Sequence, residues 1–144
     1  MAVREIIAPE SNSYFDAAKE VVKFSDSELA IVDDLRDTMR HMKMSSISAP
    51  RIGASKRIVI ISSLQCKDGS SVDEVVMINP LIVDGFGDML CQEFDYEIND
   101  LKMVQRAYMV IVAYQDEKGD QKEVLFSGIQ SASAQYEIDR LERC

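Results

Sequence analysis

Apolar residues recur at three- and four-residue intervals in SDSELAIVDDLRDTMRHM, the stretch that runs from Ser25 to Met42. This spacing is typical of a helix with one buried face. The apolar positions are Leu29, Val32, Leu35, Met39 and Met42. Ser25 and Glu28 have the spacing of a capping box, and Asp26 suits the positive end of the helix dipole. The stretch therefore predicts a long N-terminal helix.

Short β-branched runs follow and predict strands. RIVIIS and EVVMINP are each bounded by turn residues, and KDGSSVDE between them predicts a hairpin-type loop. YMVIVAYQDEKGDQKEVLF predicts two more strands, joined by a turn in which Gly119 supplies a positive φ. A second helix is predicted from Ser127 onwards, and its apolar face consists of Ile129, Ala132, Tyr136 and Leu141. Helix, strands and helix in this order indicate an α+β fold, and the length suits one domain over residues 1–144.

Charge and hydropathy narrow the class of protein. The chain has 25 acidic and 16 basic residues and a formal net charge of -9, which argues against a nucleic-acid partner because phosphate binding needs clustered Lys and Arg. The sequence contains neither a signal-peptide pattern nor an apolar run of membrane-spanning length. We therefore expect no membrane association and a cytoplasmic location, or an organelle matrix if a targeting segment has been removed.

Cysteine and histidine are too sparse to build a metal site by themselves. Cys66, Cys91 and Cys144 form no C-x-x-C pair, so the sequence predicts neither a zinc knuckle nor a thioredoxin motif, and reduced thiols are expected. The one histidine, His41, falls near the end of the first predicted helix. Nothing in the sequence places it beside another candidate ligand.

Several stretches, in order along almost the whole chain, resemble the peptide deformylase family. They are IIAPES, MSSISAPRIG, RIVII, MINPLIV, MVQRAYMVIVAYQDEKGD and AQYEIDRL. The resemblance implies the fold of that family, in which antiparallel or mixed sheets surround a C-terminal motif helix and a long helix lies nearer the N-terminus. It also implies a metal-dependent hydrolase that removes the formyl group from N-terminal formyl-methionine.

All three motifs that the resemblance implies are altered in this chain, and the first two are as follows. The family's Gly-x-Gly-Leu-Ala-Ala-x-Gln aligns with residues 44–51, where Met44 and Ser46 replace the glycines and Arg51 replaces the glutamine that stabilises the oxyanion. Met44, Ser46 and Ile47 are the implied substrate-binding positions, and residues 44–51 read either as a loop free to drift or as a retuned oxyanion site. The family's Glu-Gly-Cys-Leu-Ser aligns with residues 89–93, where only the cysteine, Cys91, is kept. Free cysteine is often a small buried residue, which is the simpler interpretation of Cys91.

The third motif, Gln-His-Glu-x-Asp-His-Leu in the family, aligns with Gln135–Leu141. The acid/base position, Glu137, is kept, whereas the two histidine ligands are replaced by Tyr136 and Arg140. Arginine has no lone pair to offer a cation, and a tyrosine phenol normally stays protonated. We predict that no metal is bound, and if one is, that it is a divalent ion such as Fe, Zn or Ni. An ion pair of Arg140 with Glu137 or another carboxylate is then expected to stabilise the vacated site.

Two functions remain open at this point. In the first, the chain has lost metal and hydrolysis and acts as a binding or interaction module, with an N-terminal peptide or another protein as partner. In the second, it is a hydrolase with a rearranged metal site, or with a metal-free site that uses Cys91 and Glu137. A cysteine nucleophile needs a base and a positive environment, and Arg51 or Arg140 would supply only the latter.

Overall fold

A computed structural model describes residues 2–6, 17–63, 73–95 and 98–142. In these residues the elements in chain order are α1 (Asp26–His41), β1 (Ser46–Ser48), a 3₁₀ turn (Ala49–Ile52), β2 (Ile58–Ser63), β3 (Asp73–Phe86), β4 (Met89–Asp95), β5 (Asp100–Arg106), β6 (Met109–Gln115), β7 (Gln121–Ser127) and α2 (Ile129–Leu141). The predicted α+β order is confirmed.

The described strands form two antiparallel sheets. The larger has the order β1-β2-β3-β6-β7, and the smaller is the hairpin of β4 and β5. Strand β3 is longer than the predicted EVVMINP because its first half pairs with β2 and its second half with β6. The register shifts between Ile78 and Leu81, where Asn79 has a left-handed φ of 54°. The bulge lets a single strand continue past Pro80, which cannot donate a ladder hydrogen bond.

The larger sheet is covered on both faces, which explains the unbroken apolar run in β2. Ile58 and Ile60 belong to the core cluster that includes Leu35 of α1, whereas Val59 and Ile61 belong to the cluster that includes Ile138 of α2. Successive side chains of a strand point to opposite faces, so both sets become buried at once. The sheet is therefore the middle layer between the two helices.

Helix α1 confirms most of the predicted buried stripe. Val32, Leu35 and Met39 are buried, while Met42 lies beyond the last helical residue and is 54% exposed. The predicted capping box is wrong, because the Ser25 side chain caps no backbone N–H and its hydroxyl instead donates to the Glu28 carboxylate.

The predicted apolar face of α2 is wrong in most of its members. Of its four residues only Leu141 is buried, and Ile129 is 75% exposed. The buried residues of the helix are instead largely polar: Ser131, Ala134, Gln135, Glu137, Ile138, Arg140 and Leu141. Apolar periodicity gave the wrong buried face because α2 packs on the sheet along one side and borders the cavity along another.

The remaining sequence predictions divide into those confirmed and those outside the described residues. The turn between β6 and β7 has Gly119 at φ 86°, as predicted. Residues 7–11 of IIAPES, residues 67–72 of the KDGSSVDE loop, Cys66 and Cys144 lie outside the described residues. The β4–β5 hairpin was not predicted as a unit. Neither described helix is long and apolar enough to cross a membrane.

Candidate functional site

The three altered motifs meet around one cavity of about 770 Å³. One wall comes from residues 43–46 and Arg51, a second from residues 89–94 of β4, and a third from the face of α2 that carries Ala132, Tyr136 and Glu137. Residues that are far apart in the sequence therefore form one site, as the aligned motifs predict.

Glu137 lies at the base of this cavity, and its partners come from the first motif. Its side chain is 1% exposed. The Oε2 atom accepts a hydrogen bond of 2.8 Å from Ser46 Oγ and one of 3.0 Å from Arg51 Nη1. The Oε1 atom is buried and has no hydrogen-bond partner among the described residues. The carboxylate is thus held on one oxygen by a hydroxyl and a guanidinium.

This geometry corrects one of the two partners predicted for Arg140. The ion pair forms with Arg51, at 3.0 Å, and not with Arg140. The Arg140 guanidinium lies instead over the ring of Tyr136, with its carbon 4.6 Å from the ring centroid. The two side chains leave α2 at positions i and i+4, with Arg140 in its last turn, and this is the spacing at which helical neighbours contact each other. That contact brings Arg140 toward Tyr136, while Arg51 approaches Glu137 from the opposite wall.

The segment that supplies Ser46 and Arg51 has regular structure at both ends. Strand β1 pairs with β2, matching Ser46 with Ile61. The 3₁₀ turn then starts with Pro50 in its first turn and ends at Gly53, whose φ of 85° few other residues adopt. Regular structure on both sides of Arg51 sets the direction of its side chain.

Ile47 is not a cavity residue, contrary to the sequence prediction, whereas Met44 and Ser46 both line the cavity. Ile47 is 0% exposed and belongs to the core cluster under α1. Because it lies on a strand between two serines, its side chain points to the opposite face. The resemblance gave the right segment, and strand alternation decides which of its residues face the cavity.

Cys91 corrects the simpler interpretation that it is a small buried residue. It is half-buried and lines the cavity from β4. The β4–β5 hairpin lies outside the larger sheet, and none of its described residues belongs to either core cluster. His41, by contrast, is exposed at the end of α1 and does not line the cavity.

A second charged cluster, missed in the sequence, joins the hairpin to α2. Arg106 of β5 donates two hydrogen bonds to Glu93 of β4, at 2.8 and 2.7 Å, and a third to Asp139 of α2 at 2.7 Å. The Arg106 and Glu93 side chains are 12% and 11% exposed. Hydrogen bonds to Glu93, and then to Asp139, raise the pKa of Arg106 above its ordinary value. The Val-x-Arg-Ala match of the resemblance contained Arg106 but did not indicate its partners.

Gln135 anchors the same helix to the chain between β5 and β6. Its side-chain oxygen accepts from the Ala107 amide at 3.1 Å, and its nitrogen donates to the Ala107 carbonyl at 2.9 Å. Ser131 donates to that carbonyl as well, at 2.8 Å. These bonds satisfy both the backbone N–H and the backbone carbonyl of Ala107. This anchor sets where α2 lies and how the helix is rotated about its axis, and it therefore sets where Glu137 lies.

The donor set does not fit the metal that the resemblance implies. Among the three ligand positions, Arg140 offers no lone pair and Tyr136 is stacked beneath it. Within the described ranges, no group of three or more His, Cys, Asp or Glu side chains is placed to hold an ion. Structural and catalytic sites both need at least three protein ligands, so Cys91 alone is not enough.

Comparisons with known proteins agree with the arrangement of the motifs. A family model described as polypeptide deformylase matches residues 3–143. A peptide deformylase of Pelotomaculum thermopropionicum is 31% identical over 143 residues, covering 99% of this chain and 88% of that protein. One of Thermosynechococcus vestitus is 33% identical over 126 residues, covering 86% of this chain and 66% of that protein.

A solved structure confirms the fold. The Met-Ala-Ser-bound class I type b peptide deformylase of Acinetobacter baumannii superposes with a TM-score of 0.83 at 26% identity. The superposition covers 98% of this chain and 95% of that one. The fold inferred from the motifs is therefore the fold of this chain.

Proposed function

The chain belongs to the polypeptide deformylase family, and on that premise we propose that it binds N-terminal peptide segments without removing a formyl group. The observation that carries the proposal is the ion pair at the base of the cavity, where Arg51 holds the Glu137 carboxylate at 3.0 Å. In this family Glu137 would serve as the acid/base beside a metal-bound water. Here its Oε2 atom accepts hydrogen bonds from the Ser46 and Arg51 side chains.

The chemistry supports loss of hydrolysis. Hydrolysis of a formamide needs an activated water, and a metal supplies one by lowering the pKa of bound water to about 7. A guanidinium cannot replace the ion in this role, because it offers no coordination site. Without a nucleophile, Glu137 has no proton transfer to perform.

The cavity itself supports retained binding. It measures about 770 Å³ and lies within the ordinary size range of small-molecule pockets. Met44 and Ala132 give it apolar walls, while Ser45 and Ser133 provide hydrogen-bonding groups. The Acinetobacter baumannii relative was solved with the tripeptide Met-Ala-Ser bound. A short peptide with an apolar first residue is therefore the ligand class that we propose.

The decisive experiment combines metal analysis, an assay and a binding titration. Protein produced with added Fe, Zn and Ni is measured by elemental analysis and incubated with formyl-Met-Ala-Ser. Calorimetric titrations with formyl-Met-Ala-Ser and Met-Ala-Ser follow. We expect substoichiometric metal, no deformylation and saturable binding of at least one peptide. Stoichiometric metal together with turnover would overturn the proposal.

A cavity-filling variant locates the binding. Ala132→Phe places a ring in the cavity from α2, and we expect the peptide affinity to fall by about tenfold or more, which is about 1.4 kcal/mol. Ala30→Phe adds the same group at an exposed position of α1 and should leave the affinity unchanged. Equal effects of the two variants would argue against binding in this cavity.

A metal-free hydrolase is the second candidate, because Cys91 and Glu137 line the same cavity. The missing component is a base for the thiol, since the chain's single histidine does not line the cavity. Turnover of formyl-Met-Ala-Ser by metal-free protein, abolished in Cys91→Ser, would support this candidate over the first.

A further inference from the structure

We infer that Arg51 excludes divalent metal from this cavity independently of the two exchanged ligands, so that the site is blocked by two separate sets of residues. The inference rests on the proposed absence of a metal and goes beyond it. It assigns the exclusion to a residue that is not at a ligand position of the aligned motifs.

Arg51 is placed to act in this way by its own segment. It leaves the 3₁₀ turn, its side chain is only 16% exposed, and Nη1 lies 3.0 Å from Glu137 Oε2. Ser46, from the neighbouring strand, donates to the same oxygen at 2.8 Å. A guanidinium is permanently charged and rigidly planar. The cavity thus contains a fixed cation at hydrogen-bond distance from Glu137.

Arg140 and Tyr136 form the other block. They occupy the two positions that carry histidine in the aligned motif, and they stack on each other with 4.6 Å between guanidinium carbon and ring centroid. Arg140 is 8% exposed, so its charge is also inside the protein. This pair belongs to α2, whereas Arg51 belongs to the segment after β1. Substitutions in α2 therefore remove one block and leave the other.

The electrostatic consequence follows from the sign and position of the charges. A divalent ion placed between residues 91, 136 and 140 would be next to Glu137 and thus next to Arg51. Two like charges a few ångströms apart repel strongly in the partly screened interior of a protein. The ion would also compete with Arg51 for the carboxylate. We therefore expect that restoring both histidines alone does not restore tight metal binding.

The test compares variants in metal titrations. The double variant Tyr136→His with Arg140→His is titrated with Zn²⁺ by calorimetry and with Co²⁺ by absorption, which reports thiolate ligation by Cys91. The triple variants add Arg51→Gln or Arg51→Met to this background, since both side chains are neutral. A matched control adds Arg40→Gln, which removes a 60% exposed arginine on α1 that pairs with Glu74.

We expect either neutral triple variant to bind Zn²⁺ about 10–100-fold more tightly than the double variant, the range by which groups surrounding a metal site change affinity. The Arg40→Gln control should match the double variant. Because removing Arg51 leaves Glu137 without its cation, each triple variant is also refolded with Zn²⁺ present, and its melting midpoint should rise with metal concentration.

The inference fails if the double variant binds one equivalent of Zn²⁺ as tightly as both triple variants. It also fails if neither triple variant gains thermal stability from Zn²⁺. These results leave the proposed function intact, because that proposal concerns the wild-type chain. Stoichiometric metal and deformylation by the wild-type protein would instead overturn the proposed function.

Discussion

Glu137 and Arg51 form a largely buried ion pair at the cavity. The carboxylate is 1% exposed and the arginine side chain 16%. Removing one partner of a buried ion pair is costly because the other charge is left without compensation. The pair is thus a structural element of the site, and it engages one of the two carboxylate oxygens of Glu137.

The first residue-scale prediction concerns this pair. Arg51→Gln should lower the free energy of unfolding by about 3 kcal/mol, because the buried Glu137 carboxyl group loses its ion-pair partner. The double variant Arg51→Gln with Glu137→Gln should recover most of that loss, since both groups are then neutral. Urea denaturation at pH 7 measures all three proteins. Additive losses in the double variant would contradict the direct coupling.

The second residue-scale prediction concerns Lys43, which follows α1 with a left-handed φ of 55°. Lys43→Gly should raise the free energy of unfolding by about 0.5–1 kcal/mol, because a side chain is disfavoured in this region and glycine is not. Asn99 has a φ of 53°, but asparagine tolerates that conformation, so Asn99→Gly should change stability less. The order of the two effects in denaturant titrations is the check.

At the scale of elements, the hairpin of β4 and β5 depends on charged contacts more than on apolar burial. Leu90, Leu101 and Met103 of the hairpin are each more than half exposed, whereas Arg106 links Glu93 and Asp139 across the hairpin and α2. Sequence reasoning failed here for a physical reason. Apolar periodicity reports burial, and this hairpin is positioned by ion pairs between residues distant in sequence.

The element-scale prediction follows from the burial of the two pairs. Glu93→Gln should destabilise the protein by about 2–3 kcal/mol, because the Arg106–Glu93 pair is almost buried. Asp139→Asn should cost less than about 1 kcal/mol, since Asp139 is 50% exposed. Relative to the wild-type protein, Glu93→Gln should speed hydrogen exchange more at the β5 amides than at the β6 amides. Equal effects of the two substitutions would contradict this assignment.

The whole molecule shows which parts of the structure a sequence reveals. The continuous Ile58–Ile61 run indicated a strand, and both of its faces are covered. The order of the motifs along the chain identified the family. In the structure, residues of the three motif segments line one cavity. The sequence did not predict which arginine pairs with Glu137, because the aligned motifs place both Arg51 and Arg140 at the same site. Only the direction of each side chain in three dimensions separates them.

The whole-molecule prediction concerns charge. The net charge of -9 and the sequence pI of about 4.6 imply a protein that is kept dispersed by mutual repulsion at neutral pH. Solubility should pass through a minimum near the pI and recover above it as carboxylates lose protons. Light scattering during a pH titration at constant ionic strength measures this. A minimum far above the sequence pI would show that exposed apolar surface governs association instead.

The Ser46–Arg51–Glu137 cluster also bears on how the site could change in evolution. If Arg51 and Arg140 each exclude a metal, as we infer, no single substitution would restore metal binding, since the other cation would remain. The contacts span 86 and 91 positions of the chain, so the changes required for reversal fall in segments that mutate separately. Under the proposed function, selection would then act on what the cavity binds and not on hydrolysis.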